Sequence, residues 1–261
     1  ERGGPVTVWF RWLLVCAMVA PMLPRAEVPA TWREDVGARP ARLVNDMDDG
    51  PLKQTLSQCR DGAFHRTAFS IGHRGAPLGY PEHTRESYLA AARQGAGILE
   101  CDVTFTRDRQ LVCRHSQCDL QSTTNILMTD LAATCREPFT PADPETERPA
   151  GARCCTSEIT LAEFRTLCGR MDVVDPAATS VAAYLAARPE AGSAGADGCG
   201  TLMSHDDSIA LFDALGVAMT PELKAPAVDM PFQGDYTREA YARQMIEAYR
   251  AAGVAPDRVW P

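Results

Sequence analysis

Two basic side chains, His73 and Arg74, follow closely after an apolar run at residues 68–71 that predicts a strand. Gly72 separates the run from the pair, and a loop rich in proline and glycine leads on to Thr84, a residue that favours a helix N-cap. An imidazole can exchange a proton near neutral pH, and a guanidinium forks around the oxygens of a carboxylate or phosphate. The pair therefore predicts proton transfer and anion binding at the end of a strand.

Two further apolar runs, residues 98–103 and residues 111–115, predict a second and a third strand. The few residues between them are too short a connection for a parallel crossover, which needs a dozen residues or more. We therefore expect an antiparallel hairpin that turns at Arg107 and Asp108.

The second strand carries Glu100 and Asp102, and the third ends at His115. A turn at the predicted place sets Glu100 opposite His115 and Asp102 opposite Cys113. Since side chains alternate between the two faces of a strand, these four residues are expected to share one face, with Cys101 pointing away. Two carboxylates and an imidazole then lie close enough for general acid/base or metal chemistry.

A later strand, within residues 217–224, places Glu222 and Lys224 two positions apart, as the carboxylates of the second strand are. Three carboxylates on neighbouring strand ends repel one another unless a cation lies among them, and all-oxygen ligands favour Ca²⁺ or Mg²⁺ over zinc. Lys224 and Arg74 add fixed positive charge for an anionic substrate. A divalent cation, two histidines and two basic side chains together predict a phosphate ester site.

Three runs in this order, IGHRGAPLGYPEHT (71–84), ILECDVTFTRDRQLVCRH (98–115) and TPELK (220–224), resemble the glycerophosphodiester phosphodiesterase family, and its exported bacterial branch in particular. The resemblance extends from about residue 68 to the carboxyl end and is weakest between residues 118 and 200. Many members have aspartate after the second histidine, where this chain has Ser116. Because of this difference, the resemblance does not indicate which residue orients His115. The implied acid/base role of His115 is unaffected.

The resemblance implies an α/β fold, a TIM-type (β/α) barrel of the phospholipase C-like phosphodiesterase kind, with its active site at the carboxyl ends of the strands. It implies metal-dependent hydrolysis of small-molecule glycerophosphodiesters to glycerol 3-phosphate and an alcohol. The implied metal ligands are Glu100, Asp102 and Glu222, the acid/base pair is His73 and His115, and the phosphate-binding residues are Arg74 and Lys224. Ca²⁺ is the expected cofactor, with Mg²⁺ as the alternative.

Two other functions fit the same residues. A phospholipase D-like enzyme would act on a lysophospholipid or sphingolipid, and a non-catalytic exported binding protein would keep the pocket without turnover. His83, in the loop before the first helix, and His205, in the first turn of a later helix, are expected to have no catalytic role, with His205 on the surface.

Helices are predicted at residues 85–94, 205–214 and 238–252, so strands and helices alternate. Residues 118–200, here called the cysteine-rich segment, interrupt this alternation as an insertion that contains a short helix at 161–168. Its even number of cysteines predicts disulfides within the segment, at Cys118, Cys135, Cys154, Cys155, Cys168 and Cys199. Cys101 and Cys113 are expected to be buried free thiols. A zinc site is disfavoured because no Cys-x-x-Cys pair occurs.

The net charge of −8 disfavours a nucleic-acid partner, which requires a basic surface. Residues 1–26 resemble a signal peptide that is too short for a stable membrane span, and ten cysteines fit a periplasmic or extracellular location. Residues 27–67 form a lead-in, and residues 68–261 hold too few strands for a complete barrel, which commonly needs about 250 residues. We therefore expect the chain to be truncated at its carboxyl end and poorly active by itself. The oligomeric state stays open.

Overall fold

The computed structural model describes residues 35–60, 62, 64–186 and 198–261. The α-helices are α1 (Arg39–Asn45), α2 (Pro51–Ser57), α3 (Arg85–Arg93), α4 (Leu120–Thr123), α5 (Leu161–Phe164), α6 (Val181–Ala186), α7 (His205–Leu215) and α8 (Arg238–Ala251). The strands are β1 (Thr67–Gly72), β2 (Ala96–Phe105), β3 (Leu111–Cys113), β4 (Glu137–Thr140), β5 (Gly151–Arg153), β6 (Cys168–Gly169), β7 (Gly200–Thr201) and β8 (Ala218–Leu223). The predicted signal peptide lies outside the described residues.

β2 is the central strand of the main sheet. It pairs in parallel with β1 at residues 96–99 and with β8 at residues 98–103, while β3 runs antiparallel to its last three residues. Val259 adds a parallel bridge to Met219 of β8. The predicted alternation of strands and helices thus produces a parallel α/β sheet with one antiparallel hairpin.

The two faces of β2 carry different side chains, although the whole strand is buried. The face that packs in the main apolar core consists of Leu99, Cys101, Val103 and Phe105. The ring of Phe105 meets that of Tyr241 from α8 edge to face, with 5.0 Å between the ring centroids. Full burial of a large apolar side chain contributes roughly 1.5–3 kcal/mol. Glu100 and Asp102 alternate with this apolar set, so they project from the opposite face.

Polar caps define where the helices begin. The residues that precede α3, α5, α7 and α8 each accept a hydrogen bond from a backbone N–H in the first turn of their helix: Thr84, Thr160, Ser204 and Thr237. A cap of this kind contributes about 1 kcal/mol. The predicted starts of α3, α5, α7 and α8 are therefore confirmed, although α5 is shorter than the predicted 161–168.

The β2–β3 hairpin forms as predicted, but its register differs from the prediction by one residue. Cys113 pairs with Val103 and not with Asp102. The turn contains one more residue than expected, because Arg109 adopts a left-handed backbone with φ of 58°. A three-residue loop of this kind is a common alternative to the two-residue turn. The predicted pairing of Glu100 with His115 is therefore wrong.

The shifted register explains a disulfide that the sequence did not predict. Cys101 and Cys113 lie on the same core-facing side of the hairpin with 5.2 Å between their Cα atoms, and they are bonded to each other. The expectation of two buried free thiols is wrong, because the predicted register sent Cys101 to the opposite face. This disulfide joins β2 to β3 directly behind the carboxylates.

The cysteine-rich segment has its own disulfides and its own apolar cluster. Its bonds join Cys118 to Cys155, Cys135 to Cys154 and Cys168 to Cys199, so the prediction of internal pairing is confirmed. The fully buried members of the cluster include Leu120, Ile126, Ile159 and Phe164. The hairpins β4–β5 and β6–β7 belong mainly to this segment. Within the described ranges, none of the helices combines the length and the apolar character needed to cross a bilayer.

Candidate active site

The end of β1 is held close to the central strand by Gly72. A Cβ at this position would lie 2.7 Å from the side chain of Leu99 and 2.9 Å from Ala91, so only glycine fits without rearrangement. His73 and Arg74 follow at once, and Arg74 turns the chain with a left-handed φ of 57°. The close packing at Gly72 thus places His73 and Arg74 next to the edge of β2.

Glu100 of β2 contacts both of the basic residues that follow β1. Its Oε2 accepts a 2.7 Å hydrogen bond from the backbone N–H of Arg74 and lies 3.8 Å from Nε2 of His73. The His73 side chain is 65% exposed, which leaves its ring accessible to a ligand. The structure therefore brings together the two motifs that the sequence placed on separate strand ends.

Asp102 and Glu222 are paired residues on the parallel strands β2 and β8. Nζ of Lys224 donates a 2.7 Å hydrogen bond to Oε1 of Glu222 and lies 3.8 Å from Oδ1 of Asp102. Asp102 is completely buried, whereas the side chain of Glu222 is 56% exposed at the rim. All three predicted metal ligands and the predicted lysine thus lie along one edge of the sheet.

The buried carboxylates are electrostatically strained. Burial raises the pKa of Asp102 to about 6, with the charge of Lys224 opposing the shift and Glu222 adding to it. Burial also raises the pKa of Glu100, and the neighbouring charge of Asp102 raises it further. The hydrogen bond from Lys224 lowers the pKa of Glu222. Positive charge added between these groups would relieve the repulsion.

The site has the donor set of a hard divalent cation. Oδ1 of Asp102 is buried and has no hydrogen-bond partner among the described residues, although a buried carboxylate oxygen normally has one. Glu100, Asp102 and Glu222 offer oxygens alone, which are the ligands that Ca²⁺ and Mg²⁺ prefer. Glu100 and Asp102, together with His83, have ligand atoms within 4.8 Å of one another, whereas Glu222 lies outside that group. The two buried carboxylates therefore fit such an ion, and Glu222 would have to approach them to become a third ligand.

His115 lies just beyond β3 and is half-buried. An electrostatic interaction with His115 contributes to lowering the pKa of Asp102 against the larger effect of burial, and that of Glu222 together with Lys224, so His115 lies within electrostatic range of both. The next residue, Ser116, gives its backbone N–H to Asp119 at 2.8 Å. His115 therefore lies on the same side of the sheet as the predicted carboxylates, within electrostatic range of them, although its predicted strand partner was wrong.

A buried ion-pair chain supports Arg74 and was missed in the sequence. Nη1 of Arg74 lies 3.0 Å from Oε2 of Glu82, whose Oε1 lies 3.1 Å from Nη2 of the fully buried Arg114. Both arginines lower the pKa of Glu82 against the opposing effect of burial. Glu82 belongs to the PEHT run and Arg114 precedes His115, but nothing local indicates that residues so far apart in sequence are in contact.

His83 and His205 are both fully buried, contrary to what the sequence suggested. Nε2 of His83 lies 2.8 Å from Oδ2 of Asp102, so this histidine contacts a candidate ligand directly. His205 lies behind the sheet with its Nδ1 3.5 Å from Sγ of Cys101. The expectation of a surface position for His205 is wrong, because the first turn of α7 faces the core.

Comparison with known proteins agrees with the geometry. The model of the glycerophosphoryl diester phosphodiesterase family matches residues 73–193. A Mycobacterium tuberculosis protein named "Probable glycerophosphodiester phosphodiesterase 1" is 41% identical over 95 residues, which are 36% of this chain and 35% of that protein. An Arthroderma benhamiae protein named "Extracellular protein" is 47% identical over 91 residues, 34% of this chain and 37% of that protein. The aligned part is about a third of the length of these curated relatives.

The fold is similar to that of a solved structure. The crystal structure of a candidate glycerophosphoryl diester phosphodiesterase from Silicibacter pomeroyi aligns with a TM-score of 0.50 and 21% identity, over 72% of this chain and 55% of that chain. Such a likeness indicates the TIM-type barrel, of which this chain forms a part, with the cysteine-rich segment added. The family model and the curated relatives, each over part of the chain, support a member of the glycerophosphodiester phosphodiesterase family.

Proposed function

We propose that the full-length protein hydrolyses glycerophosphodiesters to glycerol 3-phosphate and an alcohol, with the aid of a divalent cation. One observation carries the proposal. Three acidic side chains, two basic side chains and His73 lie close together at one edge of the sheet, and His115 lies within electrostatic range of them. Oδ1 of Asp102, buried and without a hydrogen-bond partner among the described residues, supports a role in binding a cation.

Glu100, Asp102 and Glu222 would hold the cation, with Ca²⁺ preferred over Mg²⁺. When bound, such an ion lowers the pKa of a nearby hydroxyl and stabilises negative charge on phosphate oxygens. Arg74 and Lys224 would hold the remaining phosphate oxygens. The fork of Arg74 suits this task because Glu82 fixes its orientation through Nη1.

His73 and His115 would act as the acid/base pair. One imidazole accepts the proton of the glycerol 2-hydroxyl as its oxygen bonds to phosphorus, and the other protonates the oxygen of the departing alcohol. Water then opens the cyclic phosphate with the two roles exchanged, which yields glycerol 3-phosphate. Each imidazole would contribute roughly 10²–10⁴-fold to the rate.

We further propose that the protein is exported to the periplasm or the extracellular space, after removal of residues 1–26. Four disulfides among the described residues are typical of an oxidising compartment. The name of the Arthroderma benhamiae relative, "Extracellular protein", supports the same location.

The test is a hydrolysis assay of the full-length protein with glycerophosphocholine and, in parallel, lysophosphatidylcholine. Glycerol 3-phosphate should form from the first substrate, stop when a chelator is added and resume on addition of Ca²⁺. Turnover of the lysolipid alone would favour the phospholipase D-like alternative. Ca²⁺ binding without hydrolysis of either substrate would indicate a binding protein, and turnover that a chelator leaves unchanged would contradict the proposed metal dependence.

A further inference from the structure

His83 links a tyrosine to a candidate metal ligand through two hydrogen bonds. Its Nδ1 lies 2.8 Å from the hydroxyl of Tyr88, and its Nε2 lies 2.8 Å from Oδ2 of Asp102. All three side chains are completely buried. The chain of bonds is therefore shielded from water and has no competing solvent partner.

The direction of these bonds follows from the chemistry of the three groups. An ionised carboxylate can only accept, so Nε2 of His83 carries a proton and donates it to Asp102. A neutral imidazole then has its lone pair on Nδ1, which accepts from the hydroxyl of Tyr88.

The backbone fixes His83 as firmly as its side chain does. The residue has a left-handed φ of 54°, a conformation in which histidine is enriched among non-glycine residues. Its N–H donates a 3.1 Å hydrogen bond to the carbonyl of Arg74, and the following Thr84 caps α3. These backbone contacts therefore hold the imidazole of His83 in a fixed orientation towards Asp102.

The bond to Oδ2 determines what Asp102 offers to a ligand. With Oδ2 engaged by His83, the carboxylate cannot rotate without breaking that bond, and Oδ1, which has no hydrogen-bond partner among the described residues, stays on the side of Lys224. We propose that His83 is a positioning residue that holds Asp102 so that Oδ1 faces the divalent cation, an inference that rests on the proposed function. Outer partners of this kind typically change metal affinity or activity by about 10–100-fold when they are removed.

His83 could instead be a ligand itself, since its nitrogen and the oxygens of Glu100 and Asp102 all lie within 4.8 Å of one another. The hydrogen bond opposes this alternative. The nitrogen that faces the carboxylates is already engaged by Oδ2 of Asp102 at 2.8 Å. Positioning is therefore the role that the geometry favours.

The test uses calorimetric titration of the full-length protein with Ca²⁺ and with Mg²⁺. We expect His83→Phe, which keeps a ring but has no nitrogen, to weaken Ca²⁺ binding by about 10–100-fold. His83→Gln restores a donor near the position of Nε2 and should recover much of the affinity. Tyr88→Phe removes only the bond to Nδ1, so it should give a smaller loss, and it carries the test if His83→Phe does not fold.

Glu82→Gln is the matched control, because it changes the neighbouring residue and the support of Arg74. It should raise KM for the diester and leave Ca²⁺ affinity unchanged.

The inference would be overturned if folded His83→Phe bound Ca²⁺ as tightly as the wild type. If His83→Phe does not fold, wild-type Ca²⁺ affinity in Tyr88→Phe would overturn it. The inference would also be overturned if the wild-type protein preferred Zn²⁺ and His83→Gln lost that preference, because His83 would then be a metal ligand. A wild-type protein that binds Ca²⁺ but hydrolyses no diester would contradict the proposed function alone.

Discussion

The backbone N–H of Arg74 donates a 2.7 Å hydrogen bond to Oε2 of Glu100. A single carboxylate on the central strand thereby fixes the loop that follows β1, and the ring of His73 lies 3.8 Å from the same oxygen. Glu100 therefore orients the basic pair, in addition to its proposed task of binding a cation.

Glu100→Gln separates those two tasks. Glutamine keeps an oxygen that can accept from Arg74, but it removes the charge that a cation needs. We expect turnover to fall by at least about 10²-fold, which corresponds to ~2.7 kcal/mol of transition-state stabilisation. The melting temperature of the metal-free protein should not fall, because burial and Asp102 raise the pKa of Glu100 and its charge is unfavourable. Thermal unfolding in a chelator and steady-state kinetics measure the two effects, and full turnover in this variant would contradict the assignment.

His73→Ala and His115→Ala should each lower kcat by roughly 10²–10⁴-fold, since each removes one member of the acid/base pair. Calcium affinity should stay near that of the wild type, because neither ring is a proposed ligand. His65→Ala is the matched control, for His65 is exposed and precedes β1. Kinetics with glycerophosphocholine and calorimetry with Ca²⁺ provide the measurements. A normal kcat in either site variant would rule that histidine out of the mechanism.

Replacing both Cys101 and Cys113 with alanine should destabilise the protein by about 3 kcal/mol, the value expected for closing a loop of about 15 residues. It should also reduce kcat, because the bond joins the strand of Asp102 to the one that leads to His115. Removal of the Cys135–Cys154 bond is the control, since that bond lies within the cysteine-rich segment. Chemical denaturation and kinetics test both effects, and an equal loss of kcat in the two variants would argue against a special role for the hairpin bond.

His205 should make stability depend on pH in the acidic range. Burial lowers its pKa to about 3 from an ordinary value of 6.5, so between these values the unfolded chain binds a proton that the folded protein does not. The free energy of unfolding should therefore fall by up to about 1.4 kcal/mol per pH unit as the pH drops from 6.5 towards 3, with this contribution constant above that window. His205→Gln should reduce the slope by about one proton. Denaturation curves at several pH values measure it, and an unchanged slope would show that His205 titrates normally.

Much of the site could be predicted because local signals coincide with strand ends. The apolar runs before His73, around Glu100 and before Glu222 each end where polar side chains begin, and parallel strands bring such ends to one edge. The helix caps were equally readable, since Thr84 and Ser204 act on N–H groups only a few residues away.

The remaining features depend on contacts between distant residues or on backbone conformations that composition does not reveal. Arg109 is not a glycine, yet its left-handed φ adds a residue to the hairpin turn and moves Cys113 to the face of Cys101. His83 and Arg114 look like surface residues by type, but one pairs with Asp102 and the other with Glu82. Their burial becomes visible only once the strands are assembled.

The cysteine-rich segment begins and ends beside the same strand. The N–H of Cys113, just before the segment, donates to the carbonyl of Met203, just after it, and Val112 forms a bridge with Ser204. Since the two junctions are adjacent, the segment can lengthen, shorten or change its sequence during evolution while the strands that carry the carboxylates keep their places. It is the natural region for relatives to acquire different substrate preferences on a common catalytic framework.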